Sequence, residues 1–239
     1  MSFAFVAIAT AAHGAALVGN VVDSRTGATI PSRVYIQSES GDWFFPTSVA
    51  PTGTAVHYKK QRLKESLEMH TTLSAHPFKI DLPPGKYTVT AERGKEYIPA
   101  SRKIEVADKP LDLRLPLDRW VNMAERGWYS GDTHVHRTIE ELPNIMLAED
   151  LNVTFPLTYW VTRAFEAPSQ GDKNSEDKYG TDLINIDDTH VIYPRNTEYE
   201  IFTVSGEDKR KRHTLGAVFV LGHKKVLDFG APPVKRIAV

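Results

Sequence analysis

Apolar and polar residues alternate along several short stretches of the first half of the chain. Phe78-Lys79-Ile80-Asp81-Leu82 and Tyr87-Thr88-Val89-Thr90-Ala91 each put every second side chain on one face, the period of a half-buried strand. Pro83-Pro84-Gly85 separates the two, and Glu92-Arg93-Gly94-Lys95 ends the second. Further strands are predicted over Leu17 to Val22, Ile30 to Ile36, Arg102 to Val106 and Leu111 to Leu117, and Asp42 to Phe45 reads as a short aromatic strand or loop. Pro31 falls at the start of its strand, where no ladder donor is needed. Asp23 to Gly27 and Ser38 to Gly41 read as turns. Pro46 to Leu67 mixes Pro, Gly, Lys and Glu and reads as a long connection, with one helical turn near Lys59 to Glu68. Short strands at this spacing predict a small β-sandwich over residues 17–118.

The pattern changes after a polar connector at 119–126, which contains Trp120 and marks a domain boundary. Ile139 to Asp150 reads as a helix, and Asn152 to Trp160 as one apolar strand. Ala167 to Thr181 is a polar loop. Thr189 to Tyr193, Tyr199 to Val204 and His213 to Leu221 are strand-like, with a charged turn at Ser205 to Lys211. Strand, helix, strand predicts an α/β layer over residues 127–239, and hence an α+β fold overall.

Composition narrows the chemistry. The 239 residues carry a net charge of -1, so nothing global points to nucleic acid or an anionic membrane. The basic runs Lys59-Lys60-Gln61-Arg62 and Lys209-Arg210-Lys211-Arg212 read as solvated surface. There is no cysteine, so disulfides and thiolate–zinc sites are excluded and any metal must use His, Asp or Glu. Residues 1–16 contain no charged side chain, and Phe3 to Ala12 is an apolar run. This is similar to a secretory signal without its basic start, which favours export to the periplasm or exterior; an uncleaved first strand and a misassigned start codon are the alternatives. The run is too short to span a bilayer, and no later segment is long enough.

One stretch concentrates potential metal ligands. In Gly131-Asp132-Thr133-His134-Val135-His136, a carboxylate and two imidazoles lie at i, i+2 and i+4. On a regular strand all three point to one face, a row suited to zinc, manganese or iron. The competing reading is a buried strand whose histidines are satisfied by hydrogen bonds.

Two resemblances extend this picture. Gly19 to Val34 and Leu82 to Val89 resemble the opening and the late hairpin of carboxypeptidase-regulatory-like, transthyretin-like domains. The second half resembles the PHP (polymerase and histidinol phosphatase) superfamily, most closely its CehA/McbA-type metallohydrolases. Gly131 to His136 is similar to that superfamily's first metal motif. Ala148 to Val153 is similar to the lead into its second strand, Arg195 to Glu200 to the strand supplying a bridging glutamate, and His213 to Gly216 to a segment supplying a further histidine. The resemblance implies a β-sandwich followed by a partial PHP-type α/β barrel, with Asp132, His134, His136, Glu198 and His213 as ligands of divalent metal ions. It implies hydrolysis of an ester, carbamate or phosphoester bond of a small-molecule substrate, with a metal-generated hydroxide as nucleophile. Glu200 shares strand parity with Glu198 and is a rival ligand. Trp160 stands where the family has a histidine; either one metal position is lost, or an aromatic wall contacts the substrate there. A complete barrel needs about 200 or more residues, so residues 127–239 are expected to be its N-terminal part. His190 and His223 read as turn and loop histidines. The alternative function is a non-catalytic binding or scaffold protein with a degenerate metal site.

Overall fold

The computed structural model describes residues 14–163, 180–203 and 217–224, and of residues 161–163 and 200–203 the backbone only. The chain divides into two compact units, Met1–Val121 and Asn122–Val239.

The first unit contains β1 (Ala15–Asp23), β2 (Ser32–Ser38), β3 (Trp43–Phe44), β4 (Thr47–Ser48), β5 (Ala55–Leu63), β6 (Ser66–Leu73), β7 (Phe78–Leu82), β8 (Gly85–Glu92), β9 (Tyr97–Ile98), β10 (Ala100–Val106) and β11 (Leu111–Arg119). They form two sheets, β4-β7-β1-β11-β9 and β10-β8-β2-β6-β5, with β3 added alongside β2. Leu17, Val21, Phe78, Leu82, Leu115 and Leu117 from the first sheet share one buried cluster with Val34, Ile36, Leu73, Val89, Ala91 and Val106 from the second. The first and last long strands, β1 and β11, are parallel neighbours, from Leu17↔Leu111 to Asp23↔Leu117. β1 also pairs antiparallel with β7, which sets Gly19 opposite Phe78. The Phe78 ring covers Gly19 so closely that a Cβ there would lie 2.0 Å from the ring edge. After β1, the Asp23 carboxylate closes the turn by accepting from the backbone N–H groups of Arg25 and Thr26, at 3.1 and 2.8 Å. The expected helical turn near Lys59 does not form: residues 55–73 make the β5–β6 hairpin, from Ala55↔Leu73 to Leu63↔Ser66.

The second unit contains a 3-10 turn (Ala124–Arg126), β12 (Gly131–Val135), α1 (Leu142–Glu149), β13 (Val153–Pro156), β14 (Tyr159–Arg163), β15 (Ile184–Asn185), β16 (Val191–Ile192), β17 (Thr197–Thr203) and β18 (Ala217–Val220). Two small sheets result, β12-β13-β16-β15 and β14-β17-β18. β12, α1 and β13 form one parallel crossover, and α1 buries Leu142, Met146 and Ala148. Leu142 and Met146 pack with Val135 and Ile192, which covers one face of the first small sheet. Asp150 ends α1 in the left-handed region at φ 54°, a conformation Asp tolerates better than most residues. The expected strand from Asn152 to Trp160 is two strands, β13 and β14, which belong to different sheets.

The expected α+β fold with a partial PHP-type α/β barrel is therefore corrected. Among the described residues strands dominate and α1 is the one α-helix. A parallel barrel needs a covering crossover between successive strands. Among the described residues that alternation stops after β13: β14 follows within two residues, and β15–β16 and β17–β18 pair antiparallel, although β13–β16 and β14–β17 are parallel. Neither a PHP-domain label nor a hydrolase label follows from this fold. Among the described residues, no helix is long and apolar enough to cross a membrane. Residues 1–13 of the signal-like segment lie outside the described residues, while Ala15 and Ala16 pair with Leu82 and Asp81 in β1.

Candidate metal centre

Three side chains of the second unit converge. His134 lies on β12, His136 just beyond its end, and Glu198 on β17 of the neighbouring sheet. The ligand atoms of these three residues all lie within 4.8 Å of one another. The two imidazoles approach through Nε2 to Nε2 at 2.7 Å, with ring centroids 4.7 Å apart. Glu198 Oε1 is 3.7 Å from His134 Nε2, and Oε2 is 3.9 Å from His136 Nε2. At 2.7 Å two N–H groups cannot face each other, so at least one Nε2 presents its lone pair.

Chain connectivity explains the convergence. β12 pairs with β13, and Leu157 extends that pairing by donating from its N–H to the Val135 carbonyl at 2.9 Å. Two residues on, Tyr159 donates to the Asn196 carbonyl at 3.0 Å, and β14 then runs parallel to β17 with Trp160 opposite Glu198. One continuous segment thus links the histidine strand to the glutamate strand.

Burial divides the site into a closed and an open side. The Glu198 side chain is 3 % exposed, whereas those of His134 and His136 are 45 % and 37 % exposed. Glu198 lies in register between Trp160 on β14 and Phe219 on β18. The Phe219 ring packs on His134 with centroids 4.5 Å apart at an interplanar angle of 55°. A buried carboxylate is stable only if its charge is compensated, and the groups facing Glu198 include the two imidazoles. Two imidazoles and a carboxylate are donors that zinc, manganese and iron all accept, so the residues fit such a cation.

Asp132 stands outside this group of three. The register of β12 against β13 shifts between Asp132 and Val135, where an extra residue enters β12. A bulge interrupts the two-residue alternation that would line up residues 132, 134 and 136. Asp132 Oδ1 instead accepts from the His134 backbone N–H at 2.9 Å, fixing the backbone that carries the first imidazole. His213 and the Glu200 side chain lie outside the described residues.

The other histidines occupy different places. His190 is buried at the start of β16 and binds Asp187 through Nδ1, at 2.8 and 2.9 Å from the two carboxylate oxygens. Burial raises the Asp187 carboxyl, but the Thr189 N–H and the His190 ring outweigh it and hold it below the usual carboxylate range. His223 meets the Thr197 hydroxyl at 2.8 Å, on the face of β17 opposite Glu198 by alternation. Burial and the Arg195 charge push the His223 pKa down. Phe219 and Asn196 were not foreseen from the sequence. Phe219 sits in the uniformly apolar run Ala217-Val218-Phe219-Val220, which has no alternation to mark its face.

No family model and no curated protein matches the chain. A solved structure it is similar to is the minor pilin of the Gram-positive pathogen Streptococcus agalactiae, at 12% identity and a TM-score of 0.32. The match covers 46% of this chain and 47% of that one, and at this score it carries no argument about either unit.

Proposed function

We propose that the chain is a metal-dependent hydrolase in which His134, His136 and Glu198 hold one divalent ion of zinc, manganese or iron. The observation that carries this reading is the approach of both Nε2 atoms and the Glu198 carboxylate to one point. Similarity of Gly131 to His136 to the first PHP metal motif supports it at the level of the motif, independently of any barrel. Structural zinc sites are closed by four protein ligands, whereas catalytic ones keep a position open. Among the described residues three donors converge, and two of them are half-exposed imidazoles, as in the open kind.

A divalent ion in such a site lowers the pKa of bound water to about 7 and polarises the bond to be cleaved. The chain's own residues prepare for it. The imidazoles supply lone pairs at the solvent side, where a substrate enters. Glu198 contributes one fixed negative charge from the closed side. Asp132 holds the His134 backbone. Trp160 and Phe219 flank Glu198 and offer apolar surface to a small-molecule substrate carrying an ester, carbamate or phosphoester bond. The apolar run Phe3 to Ala12 supports export of the chain.

Elemental analysis of purified protein, followed by assays with aryl ester, carbamate and phosphoester probes, tests the reading. One equivalent of metal and hydrolysis, both lost in His134→Ala, are expected. Bound metal without hydrolysis would leave a non-catalytic binding protein; no bound metal would overturn the site itself.

A further inference from the structure

The metal group draws its ligands from two sheets, so something must fix the sheets relative to each other. Asn196 lies at that joint, two residues before Glu198, and is fully buried. Its side-chain amide donates to the Pro156 carbonyl at 2.8 Å and to the Tyr193 carbonyl at 2.7 Å. Its side-chain oxygen accepts from the Gly222 N–H at 2.8 Å. Its backbone N–H donates to the Thr158 hydroxyl at 3.1 Å, and its carbonyl accepts from that hydroxyl at 3.1 Å and from the backbone N–H groups of Thr158 and Tyr159 at 3.2 and 3.0 Å.

These partners are not a random set. Pro156 ends β13, the strand that pairs with β12 at Val135, next to His136. Thr158 and Tyr159 are where the chain passes into the second sheet. Gly222 follows β18, the strand that brings Phe219 against His134. A single side chain therefore bonds to the end of the histidine sheet, to the segment entering β17 and to the segment leaving β18. An amide with two donors and an acceptor, all engaged at 2.7–2.8 Å, has no alternative arrangement of equal quality in a buried site.

We infer that Asn196 is the positioning residue of the metal centre: it clamps the two small sheets together and so sets the Glu198 carboxylate against the His134–His136 pair. The inference rests on the proposed metal site for its functional meaning, but the clamp itself is testable without metal. Asn196→Asp keeps the shape and the acceptor for Gly222 while removing both donors. Met146→Ala, in the core face of α1, serves as a control that destabilises the same unit without removing any bond of Asn196. Both variants and the parent chain are titrated with zinc at a temperature where circular dichroism shows them folded, and metal-free samples are compared by NMR. Zinc binding about 10–100-fold weaker in Asn196→Asp than in the parent is expected, the range typical of residues that orient ligands, with a clearly smaller loss in Met146→Ala. Without metal, the nuclear Overhauser contacts between the His134 and Phe219 rings fade in Asn196→Asp and persist in Met146→Ala. Equal zinc affinities for the two variants, or unchanged ring contacts, would overturn the inference. If the parent binds no zinc, the proposed function fails while the ring contacts alone decide the role of Asn196. If Asn196→Asp does not fold, Thr158→Val, which removes the hydroxyl bonded to the Asn196 backbone, is read in the same two ways.

Discussion

At the scale of single residues, charge placement decides most. Glu198 is the buried member of the metal group. Glu198→Gln preserves its volume and removes its charge, so zinc affinity falls by at least about 10-fold, a loss that isothermal titration reads directly. Asp23 holds its turn through three bonds to one carboxylate oxygen, from the backbone of Arg25 and Thr26 and from the Thr26 hydroxyl. Burial raises this carboxyl, but those bonds and the nearby Arg25 charge outweigh it and lower the pKa below the usual range. A carboxyl lowered on folding stabilises above its unfolded pKa of about 3.9 and loses that contribution as pH falls through the folded value. Asp23→Ala should thus lower stability by about 1–3 kcal/mol at pH 7 and narrow its gap to the parent below pH 4, as followed by urea unfolding against pH.

At the scale of elements, legibility tracked burial. The alternating runs Phe78 to Leu82 and Tyr87 to Ala91 lie within β7 and β8, because one face of each is buried and the other is not. The β5–β6 hairpin was misread because β5 is exposed along most of its length, so nothing there selects apolar residues at a fixed period. The bulge in β12 left no trace in the sequence either, since a two-residue period assumes that no residue is inserted. The shift falls between Asp132 and Val135, so a regular two-residue period does not carry from Asp132 to His134 and His136. Glu198 was reached through resemblance, because its partners come from a separate sheet and no local pattern joins residues so far apart. Cross-strand packing makes its own prediction. In Gly19→Ala the added methyl meets the Phe78 ring, and the first unit should lose about 1–3 kcal/mol, measured as a shift in its thermal midpoint.

At the scale of the molecule, the two units divide the labour. Among the described residues, the first has one continuous core drawn from two sheets, whereas the second spreads its buried apolar residues over two smaller clusters. A ligand that joins two small sheets therefore has more to add in the second unit. Zinc at 100 times its dissociation constant stabilises the unit that holds it by about 2.7 kcal/mol. Hydrogen exchange should show this as slower amide exchange around β12, β13 and β17, and chelation should reverse it.

The parallel pairing of β1 with β11 has a consequence for how the protein is made. Leu17 finds its neighbour Leu111 only after nearly the whole first unit has been synthesised. At ribosomal rates the interval is on the order of 10 s. During it β1 can pair with β7 on one edge, while its other edge, flanked by Leu17 and Val21, stays unsatisfied. An exposed strand edge is a template for pairing with another chain. The vulnerable moment of this protein therefore falls during translation, before β11 emerges to close that edge.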